Sequence, residues 1–151
     1  MGTQQLLLIV LGVIIVGIAI AVGITIFNNQ AFNANQQAVS QELNTYASMV
    51  LQWYKTPASQ GGKGQGNLAS GDAAKISAWC GLGGAANSVL ITDNGKFTIT
   101  TAADGTAIVG LTGCGREKRS NVYPKVVTTI TLNTSTITSQ VSTDSNGDPT
   151  D

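Results

Sequence analysis

The side chains that most often do chemistry are scarce in this chain of 151 residues. It has no histidine, two cysteines and eight residues each of acidic and basic type, and its only glutamates are Glu42 and Glu117. Histidine is the usual general base near neutral pH and the commonest metal ligand, so its absence removes most catalytic and metal-binding arrangements. We therefore expect no enzyme, no metal site and no cofactor.

The charge cluster of the chain comprises Arg116, Lys118 and Arg119 around Glu117. Such a cluster suits contact with a surface or with DNA. Three bases with one acid and no interleaved aromatic platforms are more typical of a solvated loop or an intersubunit salt-bridge patch than of nucleic-acid binding. We expect a surface contact here, with nucleic acid as a weak candidate partner.

Two short motifs carry weaker predictions. Asn133, followed by Thr134 and Ser135, matches the acceptor sequence for N-glycosylation, but a three-residue match arises often by chance. The glycine-rich residues 59–67 lack the Gly-Lys-Ser/Thr ending of a phosphate-binding loop. Asn133 is therefore a candidate glycosylation site, and residues 59–67 are expected to be a plain loop.

The element that must position any of these groups begins with an uninterrupted apolar segment. Residues 6–27 are 22 positions of Leu, Ile, Val, Ala and Phe, broken by glycines and one threonine, and no charged residue occurs before Glu42. A helix of that length spans roughly 33 Å, enough for the roughly 30 Å hydrocarbon core of a bilayer. We expect a transmembrane helix. A buried helix or a cleaved signal peptide is the alternative, although signal peptides are shorter and begin with basic residues.

The helical pattern continues beyond this segment with one apolar face. No proline or glycine occurs between residues 28 and 56, and the apolar positions recur at helical spacing. The sequence predicts one helix from about Thr3 to Lys55, ended by Pro57. The residues of the apolar face are Phe32, Val39, Leu43, Tyr46, Val50 and Tyr54.

Residues 56–151 read as a small β-rich head domain, separate from the helix of residues 1–55. A short helix follows Asp72, with Trp79 facing the core, and five alternating runs lie at residues 88–92, 96–101, 106–112, 125–133 and 135–143. Asn94-Gly95 and Asp104-Gly105 favour tight hairpins. The predicted fold class is α+β: a long N-terminal helix packed on an antiparallel sheet of four or five strands.

This layout resembles the type IV pilins and their pseudopilin relatives. The likeness rests on residues 1–55, a charge-free N-terminal helix that is apolar first and one-sided later. It implies that a prepilin peptidase removes a leader, that the subunit waits in the membrane, and that an assembly machine moves it into a helical extracellular filament. The chain would then be a structural subunit whose main partner is itself.

Two features of the start bear on this resemblance. The family usually has a glutamate at the fifth mature position, and with Met1 as the first mature residue that position is Gln5, an amide able to donate and accept a hydrogen bond. Cleavage after Gly2 would instead make Thr3 the first residue. We expect Gln4 and Gln5 to set register in the filament, and Gly12, Gly17 and Gly23 to permit close helix contacts. The alternative for the glycines is that they reflect only the higher glycine content of transmembrane helices.

The resemblance also bears on Cys80 and Cys114. A protein delivered outside the membrane meets oxidising conditions, and pilin heads commonly contain a disulfide. We expect a Cys80–Cys114 bond. Two reduced core thiols are the alternative, and a metal pair lacks further ligands.

Three functional hypotheses follow from the sequence. The first is the major subunit of a pilus-like filament, serving adhesion, motility or DNA uptake. The second is a secretion-system pseudopilin or an archaeal pilin. The third is a monomeric membrane-anchored binding domain, which would have no need for an apolar face beyond residue 27. The acidic tail, residues 144–151, is expected to be an exposed end that pairs with the basic cluster of a neighbour.

Overall fold

The computed structural model describes residues 2–84, 89–101 and 105–144. Its first element is a single helix, α1 (Gly2–Lys55), of 54 residues. With no proline or glycine between residues 28 and 56, the helix passes from the apolar half (residues 6–27) into the amphipathic half (residues 32–55) without a break. The predicted continuous helix is confirmed.

The head contains one short helix and five strands. They are α2 (Asp72–Trp79), β1 (Val89–Ile91), β2 (Gly95–Thr101), β3 (Ile108–Gly115), β4 (Tyr123–Thr131) and β5 (Thr136–Asp144). The strands form one sheet in the order β1-β2-β3-β4-β5, each antiparallel to its neighbour. The predicted α+β fold, a long helix on an antiparallel sheet, is therefore confirmed.

One face of the sheet packs against the amphipathic half of α1. In β4 the alternation buries Val126, Thr128 and Ile130 on this face. Val127, Thr129 and Thr131 take the opposite face, as antiparallel pleating requires. The core residues that α1 contributes are Phe32, Val39, Leu43, Ala47, Val50, Trp53 and Tyr54.

Helix and sheet pack closely over β3, where two glycines face the helix. A Cβ added at Gly113 would lie 2.7 Å from Val39 Cγ1 and 3.1 Å from Leu43 Cδ1. At Gly115 an added Cβ would collide with Asn35. These positions need glycine because side chains of α1 and of the neighbouring strands already fill the space that a Cβ would occupy.

The end of the head far from the apolar half is held by a buried carboxylate. Asp72, at the start of α2, accepts hydrogen bonds from Lys63, from the Ala69 amide at 2.8 Å and from Lys75 at 3.2 Å. Burial acts to raise the pKa of Asp72, but these donors outweigh it and lower the pKa below its ordinary value. The glycine-rich segment that contains Lys63 is thereby tied to α2.

Trp79 does not face the core as predicted. It is 38% exposed, whereas Ile76 and Cys80 are buried. α2 begins at Asp72 after a glycine in a left-handed conformation, with no side-chain cap. Docking on the core decides which face of so short a helix turns inward, and α2 buries Ile76 rather than Trp79.

The predicted disulfide between Cys80 and Cys114 is not formed. Cys80 follows α2 and joins the core on the helix side of the sheet. Cys114 alternates along β3 with Gly113 and Gly115, which face α1, so its side chain belongs to the opposite face. This alternation assigns the two side chains to opposite faces of the sheet. Burial also raises the pKa of the Cys80 thiol to about 11, which keeps it protonated and unreactive near neutral pH.

Candidate assembly surface

The apolar half of α1 has no cover within the described chain. The large apolar side chains of residues 6–27 are 49% to 70% exposed, while the core side chains of the amphipathic half are at most 5% exposed and Tyr46, which packs on Phe97, is half-buried. α1 is long and apolar enough to cross a membrane, and its most apolar window has no buried residue. Thr25, the polar exception, bonds through Oγ1 to the carbonyl of Ala21 at 3.0 Å, so its hydroxyl is satisfied within the helix.

Two of the three predicted assembly glycines share a face with Gln5. At about 100° per residue, Gln5, Gly12 and Gly23 fall within about 20° of one another around the helix axis. The residues that pack on the sheet lie roughly opposite. All three glycines have open space where a Cβ would stand. The face defined by Gln5, Gly12 and Gly23, which we call the far face, therefore points away from the head.

Gly17 and Gln4 fall outside this face. By the same projection Gly17 lies about 140° from Gly12, towards the side that carries the head, and Gln4 lies about 80° from Gly12. The sequence prediction treated the glycines as one set. The head occupies one side of α1, so Gly12 and Gly23 lie on the side away from the head and Gly17 lies towards it.

The basic cluster lies beside α1 at the end of the apolar half. Residues 116–119, which we call the basic loop, connect β3 towards β4, and Lys118 and Arg119 line a cleft together with Thr25, Asn28 and Asn29 of the helix. The Arg119 guanidinium lies 4.5 Å from the centre of the Phe32 ring, a cation–π contact. Arg116, Lys118 and Arg119 are all exposed.

Asn35 is a positioning residue that the sequence analysis missed. Its Nδ2 donates to the carbonyl of Asn94 at 2.9 Å, and its Oδ1 accepts from the Glu117 amide at 3.3 Å. It thus ties α1 both to the β1–β2 turn and to the basic loop. The available signal was an asparagine in phase with the apolar face, three residues after Phe32 and four before Val39.

Glu42 makes a second attachment of the same turn to α1. Its carboxylate accepts hydrogen bonds from Asn94 Nδ2 at 2.5 Å and from Thr92 Oγ1 at 3.1 Å. One of the two glutamates of the chain is thereby engaged in positioning the head on the helix. In residues 2–84, 89–101 and 105–144, no group of three or more His, Cys, Asp or Glu side chains is placed to hold a metal ion.

Asn133, the candidate glycosylation site, is exposed in the β4–β5 turn at the end of the head far from the apolar half. Its Oδ1 accepts a hydrogen bond from the Tyr54 hydroxyl at 2.7 Å. The contact joins the turn to the last residues of α1. Met1, the predicted mature start, and residues 145–151 of the acidic tail lie outside the described residues.

Comparison with protein-family models, curated proteins and solved structures finds no match. The likeness to pilins therefore depends on the pattern of residues 1–55. The site that the geometry offers is a surface for association, comprising an uncovered apolar helix with a far face of small and amide residues.

Proposed function

We propose that this chain is the structural subunit of an extracellular, type IV pilus-like filament, held in the membrane by α1 before assembly and polymerising through the apolar half. The single observation that carries the proposal is the continuity of α1 across two environments. One half is buried on the head's own sheet, and the other is apolar on every side and uncovered by residues 2–84, 89–101 and 105–144. The apolar half needs an apolar partner outside its own chain.

A bilayer and a bundle of identical helices both meet that need. Lipid tails and packed aliphatic side chains are similarly apolar, so leaving one for the other costs little hydrophobic free energy. What distinguishes the bundle is close packing between helices. Glycine in a helix interior costs roughly 1 kcal/mol in propensity, which contact between backbones can offset.

The far face supports a filament over a solitary anchor. In a helical fibre with heads outside, the side of α1 opposite the head is the side available to the fibre axis. Gly12 and Gly23 lie there, with Gln5 near the start, where an amide donates and accepts hydrogen bonds without the desolvation cost of a carboxylate. A lipid-facing anchor has no use for an amide and two glycines aligned on one side.

The second candidate function is a monomeric membrane-anchored binding domain. It is supported by the same uncovered apolar half, which a bilayer alone would satisfy. This function gives no role to the alignment of Gln5, Gly12 and Gly23 on the far face. A pseudopilin or an archaeal pilin remains a version of the first proposal, and no catalytic role is assigned to the chain in either case.

Electron microscopy of material sheared from cells that produce the chain, with mass spectrometry of the fibres, tests the proposal. We expect thin filaments that contain this chain, with a first residue of Met1 or Thr3 and a mass that reports any glycan on Asn133. Recovery of the chain only as a dispersed membrane protein, in cells whose assembly machinery is intact, would contradict the filament.

A matched pair of variants tests the far face. Gly12→Leu adds bulk on the far face, and Gly17→Leu adds the same bulk on the side of the head. Both positions are open in the subunit, so neither variant should change the melting temperature of the head. We expect Gly12→Leu to reduce filament yield at least about tenfold and Gly17→Leu to reduce it less. Equal yields would remove the far face from the proposal.

A further inference from the structure

The basic loop lies level with the end of the apolar half. Lys118, Arg119 and Ser120 share a cleft with Thr25, Asn28 and Asn29, and the last apolar residue of the membrane-length segment is Phe27. From Phe27 to Phe32 the helix rises about 8 Å. The loop therefore sits beside the stretch of α1 that emerges from the hydrocarbon core when residues 6–27 span it.

That stretch matches the headgroup layer of a bilayer. A hydrocarbon core of about 30 Å within a total of about 40 to 45 Å leaves roughly 5 to 8 Å of polar layer on each side. Asn28 and Asn29 begin the polar run of α1 at this depth. The cationic ends of Lys118 and Arg119 would then lie among lipid phosphates, next to amide side chains that also donate hydrogen bonds.

The loop is held in place rather than loosely attached. The Arg119 amide donates to the Val122 carbonyl and the Val122 amide donates to the Arg119 carbonyl, both at 3.0 Å, closing a turn through Ser120 and Asn121. The Arg119 side chain lies over Phe32, and Lys118 lies 5.3 Å from the centre of the Tyr123 ring. Its depth along α1 is therefore set by the fold.

The loop contains one acidic residue, Glu117, and the backbone of Asp144 at the end of β5 pairs with that of Tyr123. The three basic residues Arg116, Lys118 and Arg119 outnumber these two acidic residues. Headgroup phosphates carry full negative charge and accept the paired hydrogen bonds that guanidinium groups donate.

We propose that the basic loop binds the phosphates of anionic phospholipids in the leaflet beneath the head while the subunit resides in the membrane. The inference rests on the membrane residence in the proposed function and adds the lipid as a partner. It gives the loop a task before assembly: it fixes the height and tilt of the head at the membrane surface. On extraction into a filament, the loop exchanges lipid for water or for a neighbouring subunit.

The test uses the full chain reconstituted in nanodiscs and reads the depth of the loop by fluorescence. Ser120→Trp places an indole at the loop, and lipids brominated near the top of their acyl chains quench it on contact. The signal of the unmodified chain, which comes from Trp53 and Trp79, is subtracted. Trp53 lies about 36 Å further along α1 than Asn29. Discs are made of phosphatidylcholine alone or with roughly one third phosphatidylglycerol.

We expect the indole at the loop to be quenched at least about twofold more in the anionic discs. About 1 M salt should abolish the difference, because it shortens the screening length to roughly 3 Å. Adding Lys118→Gln and Arg119→Gln should remove the difference at low salt. The charge-retaining pair Lys118→Arg and Arg119→Lys should keep it.

A matched control removes two cations from the other end of the molecule. Lys55→Gln with Lys75→Gln changes the net charge equally and should leave the quenching unchanged. Equal quenching in both kinds of disc, or equal loss in both charge-deleted pairs, would overturn the proposal. Salt-sensitive quenching that ignores lipid charge would also overturn it, since it would indicate pairing of the loop with acidic groups of the protein.

A marker at the membrane boundary separates this proposal from the one on which it rests. Phe27→Trp should be quenched in both kinds of disc when residues 6–27 span the bilayer. If that marker is quenched but quenching at the loop is equal in both kinds of disc, the lipid proposal is wrong and membrane residence is supported. Absence of quenching at the marker would contradict membrane residence itself.

Discussion

The two halves of α1 share one backbone and differ in what surrounds them. In the amphipathic half, Val39 and Val50 are fully buried against the sheet, whereas in the apolar half even the least exposed large side chain, Leu11, is 49% exposed. The more apolar half is thus the one that the fold leaves uncovered. A soluble protein would arrange the two in the opposite way, because burial of apolar area is the main favourable term in folding.

The difference shows that the chain completes only part of its own structure. The head supplies a sheet for one face of the amphipathic half, with Asn35 and Glu42 fixing its position. The apolar half is left for a solvent or partner that is apolar on all sides. Substitutions in the amphipathic half should therefore lower the stability of the head, whereas substitutions in the apolar half should affect association.

The largest contrast is expected from one acidic substitution placed in each half. Val50→Asp buries an unpaired carboxylate in the core, and we expect it to cost at least about 4 kcal/mol and to unfold the head. Ile14→Asp should leave the melting temperature of the head in detergent unchanged but cost about 3 kcal/mol for insertion at mid-bilayer. Thermal unfolding and membrane fractionation measure the two effects.

Leu43→Met serves as the volume-conserving control for the core, with an expected cost below about 1.5 kcal/mol. If Ile14→Asp lowered the stability of the head as much as Val50→Asp, the two halves would not be independent. The comparison would then fail.

Bulk at the helix–sheet contact should have the next largest effect. Gly113→Val places a side chain within contact of Val39, Leu43 and Phe97, where the first added carbon is already too close. We expect a loss of about 3 kcal/mol in the free energy of unfolding, measured by denaturant titration. Gly12→Val, in the uncovered half, should show no such loss. A tolerated Gly113→Val would mean that α1 is not seated as closely as described.

The buried carboxylate of Asp72 predicts a pH dependence confined to the head. Because the pKa of Asp72 lies below its ordinary value of 3.8 in the folded state, its stabilisation is complete above that value. It is lost as the pH falls through the folded pKa. We expect Asp72→Asn to cost about 2 kcal/mol near neutral pH, since Lys63 loses its partner.

The difference between Asp72→Asn and the unmodified chain should narrow below pH 3.8. Melting temperatures across the acid range provide the measurement. A difference that stays constant with pH would show that the carboxylate charge is not what stabilises this region.

The smallest expected effect is that of a reductant. Because Cys80 and Cys114 belong to opposite sides of the sheet, reducing agent should not shift the unfolding midpoint of the purified chain. Alkylation under denaturing conditions without reductant should modify both cysteines. A disulfide would instead protect both from alkylation and, on reduction, lower stability by about 2 to 4 kcal/mol.

The extent of the elements was predictable because it depends on local pattern. The composition of residues 6–27 predicts that they lie in an apolar environment. The spacing of the apolar positions from Phe32 to Tyr54 predicts one face of a helix. The strands follow from period-two alternation and turn residues. In β4 this alternation corresponds to the burial of Val126, Thr128 and Ile130 on one face.

What the sequence analysis missed depends on contacts between distant segments. The prediction of a disulfide was wrong because the side of the sheet that Cys114 faces follows from the register of β3. The prediction that Trp79 faces the core was wrong because the orientation of α2 follows from its docking on the core. Asn35 is an ordinary polar residue until Asn94 and Glu117 are brought to it.

The sequence by itself determined that half of a long helix is apolar on all sides and that a small antiparallel sheet follows it. The tertiary structure alone decided which side of the helix the head occupies. That choice puts Gln5, Gly12 and Gly23 opposite the head and brings Arg119 to Phe32, at the end of the apolar half. The physical reason is that periodicity is a property of neighbouring residues, whereas faces and depths are set by packing between residues far apart in the chain.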